Sequence, residues 1–217
     1  MAAKKESTTT EKFKVNGRLS FPRLDKPKSF EEGQDPRWES TFLLDPASKE
    51  GLESIKLVIK QAATLGKTAY GFVPLELRKL AAQFVPGQAA PDPKSKDDGV
   101  EVAFYAGDRK EYDGYEGMFV VPSHNAKLKP AVANRRGVSV EPGDDQYPYA
   151  GCYVLGSLTL WAMDNKYGKR ILVNLRGVQF MKDGEAFSQG DIAAEDEFEA
   201  LEDAAAAGDV ESDDLGM

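Results

Sequence analysis

The chain has 217 residues, with 28 Lys or Arg against 36 Asp or Glu, so its formal net charge is −8. This length allows one core of roughly 150 to 190 residues or two small domains, and we favour one core. No segment approaches the roughly 18 apolar residues of a membrane-spanning helix, so a soluble protein without a membrane partner is expected. The single cysteine, Cys152, and the single histidine, His124, exclude an intrachain disulfide, a cysteine-clustered zinc site and a paired-histidine metal site.

The chain begins with a polar segment and two predicted strands. Residues 1–11 contain lysines without a following apolar segment, which predicts a flexible arm and not a signal peptide, and therefore a cytoplasmic protein. Residues 12–21 place Phe13, Val15, Leu19 and Phe21 on one face and basic side chains on the other, the pattern of a strand with a basic outer face. A second strand is predicted over residues 38–44 and ends at a turn, Asp45-Pro46.

Two helices are predicted next. Apolar spacing over residues 47–65 fits an amphipathic helix that Gly66 stops. A shorter helix follows Pro74, with its apolar side running from Leu75 to Phe84. Residues 85–99 contain three prolines and mixed charge, which predicts a long exposed loop within one domain.

Four further strand-like segments complete the predicted domain, over residues 100–105, 117–122, 152–163 and 169–181. A long basic loop, residues 123–149, separates the second and third of them, and residues 164–168 form a hairpin loop. Six strands with two helices between the second and third predict a mostly β fold, a small and largely antiparallel barrel. A β-sandwich is the alternative that this pattern leaves open.

The C-terminal 27 residues, 191–217, contain eleven acidic side chains and no Lys or Arg. Without them the chain has 28 basic residues against 25 acidic ones, about +3 in place of −8. A segment of one charge sign stays solvated, which predicts a disordered acidic interaction tail after a folded domain over residues 12–190. A plain solubility tail is the alternative.

Basic residues alternate with aromatic ones on the last two strands. Arg170, Asn174 and Arg176 are expected on one face of the final strand, and Tyr153, Ser157, Thr159 and Trp161 on one face of the strand before it. Rings can stack on any base while cations follow phosphates, so this pattern favours a single-stranded nucleic acid. The candidate contact residues are Tyr105, Arg109, Lys110, Tyr112, Tyr115, Lys127, Lys129, Arg135, Arg136, Tyr153, Trp161, Tyr167, Lys169, Arg170 and Arg176.

Other interpretations of these residues remain open. The aromatic rings could belong to the core and the arginines could pair with surface carboxylates. Loop carboxylates would allow a metal-dependent nuclease or other DNA-processing enzyme, and a protein that only assembles with other proteins would bind no oligonucleotide. For His124 we favour a surface loop histidine near a backbone group or a phosphate over a general base. The carboxylates in question are Asp108, Asp113, Glu116, Asp144 and Asp145.

Three segments carry a family resemblance: YPYAGCYV at residues 147–154, LWAMDNKYGKRI at 160–171 and LRGVQFMKDGEAF at 175–187, followed by AEDEFEALED. They resemble the bacteriophage replication proteins long known only as a domain of unknown function and now understood as single-stranded DNA-binding proteins. The resemblance implies an OB-fold, sequence-nonspecific binding of DNA in a groove, and an acidic tail that contacts a polymerase, helicase or nuclease. It also implies the cytoplasm of an infected bacterium, no enzymatic activity and no cofactor or metal. A homo-oligomer is compatible with it.

Overall fold

The computed structural model describes residues 8–29, 35–166 and 168–187. Eight strands and two helices follow one another along this part of the chain. Their order matches the prediction, with both helices between the second and third long strands. The elements are β1 (Phe13–Lys28), β2 (Arg37–Leu44), α1 (Lys49–Tyr70), α2 (Leu75–Phe84), β3 (Val100–Val102), β4 (Tyr105–Ala106), β5 (Phe119–Asn125), β6 (Ala131–Ala133), β7 (Tyr153–Asn165) and β8 (Gly168–Lys182).

Five long strands close into a barrel. β1 pairs antiparallel with both β2 and β7, β5 pairs with β2, and β8 pairs with β7. The ring closes where His124 of β5 meets Asn174 of β8 in a parallel bridge. The short strands β3 and β6 add to β8, and β4 adds to β5. This confirms the predicted barrel, of the OB-fold type, over the sandwich alternative.

The barrel interior is filled from every long strand and is capped by a helix. Leu19, Phe42 and Leu158 are fully buried there, and α1 adds Ile55 and Val58 from its apolar face. Burial of such side chains is the main favourable term in folding, at about 1.5–3 kcal/mol each. The predicted helices are confirmed, and their regularly spaced apolar residues face this core.

The first helix ends later than predicted. It continues through Gly66 to Tyr70 and is capped by Gly71, whose φ of 87° is left-handed. Gly66 is buried, and a Cβ there would lie 2.7 Å from Cδ of Pro74. Gly66 therefore allows α1 to approach the start of α2, and the prediction that it stops the helix was wrong.

A β-bulge interrupts β1 at Phe21. Ser20 pairs with Thr41 and Arg23 pairs with Glu39, so β1 advances three residues while β2 advances two. Phe21 has a φ of 46°, and its side chain is 49% exposed. The extra residue reverses the alternation, so the prediction that Phe21 faces the core with Phe13 and Leu19 was wrong.

Residues 8–10, which were assigned to the predicted arm, belong to the sheet. Thr10 N–H donates to Leu160 O at 2.9 Å, and Ala162 N–H donates to Thr8 O at 2.9 Å. Thr9 forms an antiparallel bridge with Trp161. Residues 8–10 therefore continue the pairing of β1 with β7 and are not part of a flexible arm. Residues 1–7 and the acidic tail, 191–217, lie outside the described residues.

Cys152 is fully buried just before β7. Its sulfur accepts a hydrogen bond from the Tyr149 N–H at 3.4 Å. Burial raises the pKa of the Cys152 thiol to about 11. The interpretation of Cys152 as a small buried residue of the core is confirmed.

We predict that Gly156→Ala destabilises the barrel. Gly156 lies on β7 with its Cα facing the interior, and a Cβ there would lie 2.4 Å from Cε1 of the fully buried Phe42. Overpacking of this kind costs about 1–3 kcal/mol. The free energy of unfolding, measured by urea denaturation, should fall by that amount.

The matched control is the double variant Gly156→Ala with Phe42→Leu. Because the smaller side chain makes room for the new methyl group, the double variant should lose less stability than the two single variants added together. Additive losses would contradict a clash between these two positions.

Candidate nucleic-acid interface

The outer face of β7 carries the predicted row of polar and aromatic side chains. Tyr153, Ser157 and Trp161 point away from the core, whereas Val154 and Leu158 are buried. The eight residue steps from Tyr153 to Trp161 span about 27 Å along a strand. The two aromatic residues therefore belong to different ends of this surface.

Trp161 lines a groove of about 470 Å³. Asn174 Nδ2 lies 3.4 Å from Thr159 Oγ1 on its floor. Asn125 fixes the far edge, because its Nδ2 donates to Leu175 O at 3.0 Å while its Oδ1 accepts the Lys127 N–H at 3.0 Å. We call this the tryptophan groove; it is lined by Thr9, His124, Asn125, Ala126, Lys127, Thr159, Trp161 and Asn174.

His124 lies on β5, one residue before its end, and is not the loop residue that was predicted. It pairs with Glu39 on one side and with Asn174 on the other. Burial lowers the pKa of His124, and the positive charge of Arg37 lowers it further. The imidazole is therefore neutral at neutral pH.

Two arginines flank Glu39 beside the groove. Arg23 Nε lies 3.4 Å from Glu39 Oε1, and Arg37 Nε lies 3.6 Å from Oε2. Burial raises the pKa of Glu39, while the two guanidinium groups oppose this shift. With one carboxyl group between two arginines, the local charge is about +1 when Glu39 is ionised and about +2 when it is protonated, so it is positive at every pH at which the arginines are charged.

An aromatic cluster lies on the outer face of β1, β2 and β5. The ring centroids of Phe21 and Tyr112 are 5.3 Å apart, and those of Tyr112 and Tyr115 are 5.2 Å apart, both edge to face. Tyr115 is 1% exposed, and its hydroxyl lies 3.2 Å from Ser20 Oγ. Burial raises the pKa of the neighbouring Tyr105 to about 12. The prediction that Tyr115 stacks from a hydrophilic loop was wrong, since the ring is covered, whereas Tyr112 is 48% exposed.

A second group of cations surrounds Tyr153 at the other end of β7. Lys182 Nζ lies 4.4 Å from the centroid of the Tyr153 ring, and Arg18 Cζ lies 5.8 Å from it. Arg18 also lies 4.2 Å from the ring of Phe187 and donates to Gly151 O and Glu185 O at 3.1 and 2.6 Å. These contacts hold residues 183–187 against the barrel.

Several predicted cations are held in ion pairs. Arg109 pairs with Glu76, Lys129 lies 3.4 Å from both Asp25 and Glu141, and Arg170 Nε lies 2.8 Å from Glu101 Oε2. Lys169 Nζ lies 5.9 Å from the Tyr70 ring, beside α1.

The other predicted contact residues lie in the groove, in a second cavity or on the exposed surface. Lys127 and Trp161 share the tryptophan groove, and Arg135 and Tyr153 line one cavity of about 490 Å³. Lys110, Arg136 and Arg176 are exposed, with Arg176 at the irregularity where β8 has one residue more than β7. Tyr167 lies outside the described residues.

Sequence reasoning missed Phe21, Arg18 and Lys182. Arg18 and Lys182 belong to the site because both contact the Tyr153 ring, and Arg18 is remote from Tyr153 in the sequence. The missed signal at Phe21 was Pro22, because proline within a strand is confined to edges, first positions and bulges. A bulge at this dipeptide would have turned Phe21 outward.

Two of the five loop carboxylates serve local structure. Asp108 Oδ1 accepts the Gly117 N–H at 2.8 Å, and Asp144 Oδ2 accepts the Glu141 N–H at 2.9 Å. Within the described ranges, no three His, Cys, Asp or Glu side chains are grouped so that they could hold a metal ion. The helices of this part of the chain are too short or too polar to cross a bilayer.

The closed barrel with its cationic and aromatic outer face defines an oligonucleotide-binding fold. A family model described as "Enterobacter phage Enc34, ssDNA-binding protein" matches residues 10–210. The chain therefore belongs to this family of phage single-stranded DNA-binding proteins, which confirms the resemblance seen in the sequence.

Relatives of this chain include one curated protein and solved structures. "Putative protein p50" of Acyrthosiphon pisum secondary endosymbiont phage 1 is 32% identical over 191 residues, which cover 88% of this chain and 94% of that protein. The single-stranded DNA-binding protein from bacteriophage Enc34 is similar with a TM-score of 0.59 and 25% identity, over 87% of this chain and 90% of that one. Its complex with ssDNA gives a TM-score of 0.61 and 26% identity, over 82% and 89%.

We predict that His124 makes folding stability depend on pH. The pKa of His124 is lowered in the folded protein, so between its unfolded value of about 6.5 and its folded value the unfolded chain binds the proton more readily. The contribution of His124 to folding stability is complete above about pH 6.5 and is lost as the pH falls from there towards the folded-state pKa. The wild type should therefore lose more free energy of unfolding between pH 7.5 and 5.5 than His124→Gln, as measured by urea denaturation. Identical losses in both proteins would contradict this assignment.

Proposed function

We propose that this protein binds single-stranded DNA along the outer face of its barrel, without strong sequence preference and without catalysing a reaction. The observation that carries the proposal is the tryptophan groove. There the indole ring of Trp161 and Lys127 line one surface, at the place where β5 and β8 close the barrel. The solved complex of the Enc34 protein with ssDNA, at 26% identity, supports the same kind of ligand. Replication or recombination of phage DNA in the cytoplasm of the infected cell is the setting we infer.

The two kinds of side chain have different tasks. Exposed cations such as Arg176 and Lys127 neutralise phosphates and release counterions, which makes affinity fall with salt. Trp161 offers a ring to an unpaired base, worth about 1–3 kcal/mol and tolerant of sequence. The ion-paired Arg170 can exchange Glu101 for a phosphate, because an exposed pair contributes only about 0–1 kcal/mol.

The contributions of phosphate neutralisation and of base stacking to affinity can be separated by a salt series. We predict that Arg176→Ala lowers affinity for a mixed-sequence oligonucleotide and reduces the slope of log K against log salt by about 0.7. Trp161→Ala should lower affinity by about 1–3 kcal/mol with the slope nearly intact. Fluorescence anisotropy of a labelled single strand at four salt concentrations measures both quantities.

The matched control is Arg78→Ala, an exposed arginine on α2, which should leave affinity and slope unchanged. Circular dichroism checks that each variant is folded. An affinity of the wild type that does not change with salt, or cleavage of the strand on addition of Mg²⁺, would contradict the proposed function.

We propose further that the acidic tail, residues 191–217, competes with DNA for the cationic face. Its eleven carboxylates give the chain a formal charge of −8, against about +3 without them. Covalent attachment gives such a segment a high effective concentration at a surface within its reach. DNA that occupies the face would then release the tail to a polymerase, helicase or nuclease.

We predict that a chain of residues 1–190 binds single-stranded DNA more tightly than the full-length protein at low salt. The difference should narrow as salt screens the tail. A full-length variant with its eleven tail carboxylates changed to amides is the matched control, because it keeps the length and removes the charge. Equal affinities of all three proteins at low salt would contradict competition by the tail.

A further inference from the structure

Phe21 breaks two local rules at once. Its φ of 46° lies in the left-handed region, where an aromatic side chain is rare and glycine is favoured. Its ring is 49% exposed although the alternation of β1 would bury it. Strain of this kind persists where the surrounding structure enforces it, and it is concentrated at binding sites.

The bulge places the ring on a built support. It turns Phe21 out of the barrel and brings its ring edge to face with Tyr112, at 5.3 Å and 71°. Tyr112 rests in turn on Tyr115, at 5.2 Å and 81°. The hydroxyl of the buried Tyr115 lies 3.2 Å from Oγ of Ser20, the residue before Phe21. An edge-to-face stack leaves part of the outermost ring uncovered, which accounts for the exposure of Phe21.

Phe21 lies on the same outer face as the tryptophan groove. Two residues further along β1, Arg23 pairs with Glu39, and Glu39 pairs in register with His124 of the groove. Although β1 also pairs directly with β7, the row of paired residues from Arg23 through Glu39, His124 and Asn174 reaches Thr159 of β7 by way of β2, β5 and β8. This row crosses four strand spacings, about 19 Å around the barrel. The roughly 4–16 nucleotides that one OB-fold engages can cover this distance.

We propose that Phe21, supported by Tyr112, is a stacking platform for an unpaired base of the single strand whose phosphates pass Arg23 and Arg37. The inference rests on the proposed function and adds a second base site to the one at Trp161. Arg23, two residues further along β1, and Arg37, which pairs with the same Glu39, favour a nucleic acid over an apolar partner, because every base in a strand is linked to a phosphate. Two guanidinium groups with one carboxylate between them retain attraction for that phosphate.

The variant Phe21→Gly tests the role of the ring independently of the backbone conformation. Glycine suits the φ of this position, so the variant keeps the bulge and loses only the side chain. Affinity for oligo(dT) should fall about 5- to 140-fold, the equivalent of 1–3 kcal/mol of stacking. The salt slope should not change, because stacking releases no counterions. Thermal unfolding of the free protein should be close to that of the wild type.

A second variant reports stacking directly. Phe21→Trp keeps a flat ring in the same place, so it should retain affinity and show extra fluorescence quenching on saturation with oligo(dT), compared with the wild type. Phe72→Ala is the matched control: this exposed phenylalanine follows α1 and lies beside Tyr70, and its loss should leave affinity unchanged.

The outcomes distinguish the platform from the proposed function. If the wild type binds oligo(dT) and Phe21→Gly binds equally well, or if Phe21→Trp shows no extra quenching, the platform is wrong while DNA binding stands. If the wild type itself does not bind, the proposed function fails. If Phe21→Gly changes only self-association, measured by sedimentation, the ring joins copies of this chain and the platform is overturned.

Discussion

Closure of the barrel is the constraint on which the rest of the structure depends. The bridge between His124 and Asn174 joins β5 to β8 and completes a ring in which each long strand has one buried row and one outer row. Because side chains alternate along a strand, a shift of one residue anywhere in the ring would exchange these rows. The position of each cation and ring that a long strand carries on its outer face is therefore fixed by the packing of residues such as Phe42 and Leu158 inside.

Much of this architecture follows from local pattern, and its exceptions have physical causes. The order of elements and the outward row of β7 could be predicted because period-2 alternation and helical spacing are local signals. The bulge at Phe21 could not be read from alternation, since it depends on how β1 meets β2. The burial of Tyr115 depends on Ser20 and Phe21, which are about 95 residues away in the sequence. The prediction for Gly66 was wrong because glycine is needed there for the close contact with Pro74 and not to end the helix.

The candidate interface was predictable in composition but not in grouping. Sequence identifies which side chains are basic or aromatic, and it cannot show that Arg109 meets Glu76 or that Arg170 meets Glu101. Such exposed pairs contribute little to stability, so they tune the field of the surface more than they hold the fold together. The strong local organisation instead comes from backbone contacts, as where Arg18 binds the carbonyl oxygens of Gly151 and Glu185.

The buried Cys152 has a practical consequence for attaching a dye to this protein. Burial raises the pKa of its thiol to about 11, so very little reactive thiolate forms at neutral pH, and the side chain is fully buried. A cysteine introduced at an exposed position would therefore react with a maleimide dye alone, with the natural cysteine left in place. Site-specific labelling for fluorescence measurements thus needs no cysteine-free background and no disturbance of the core.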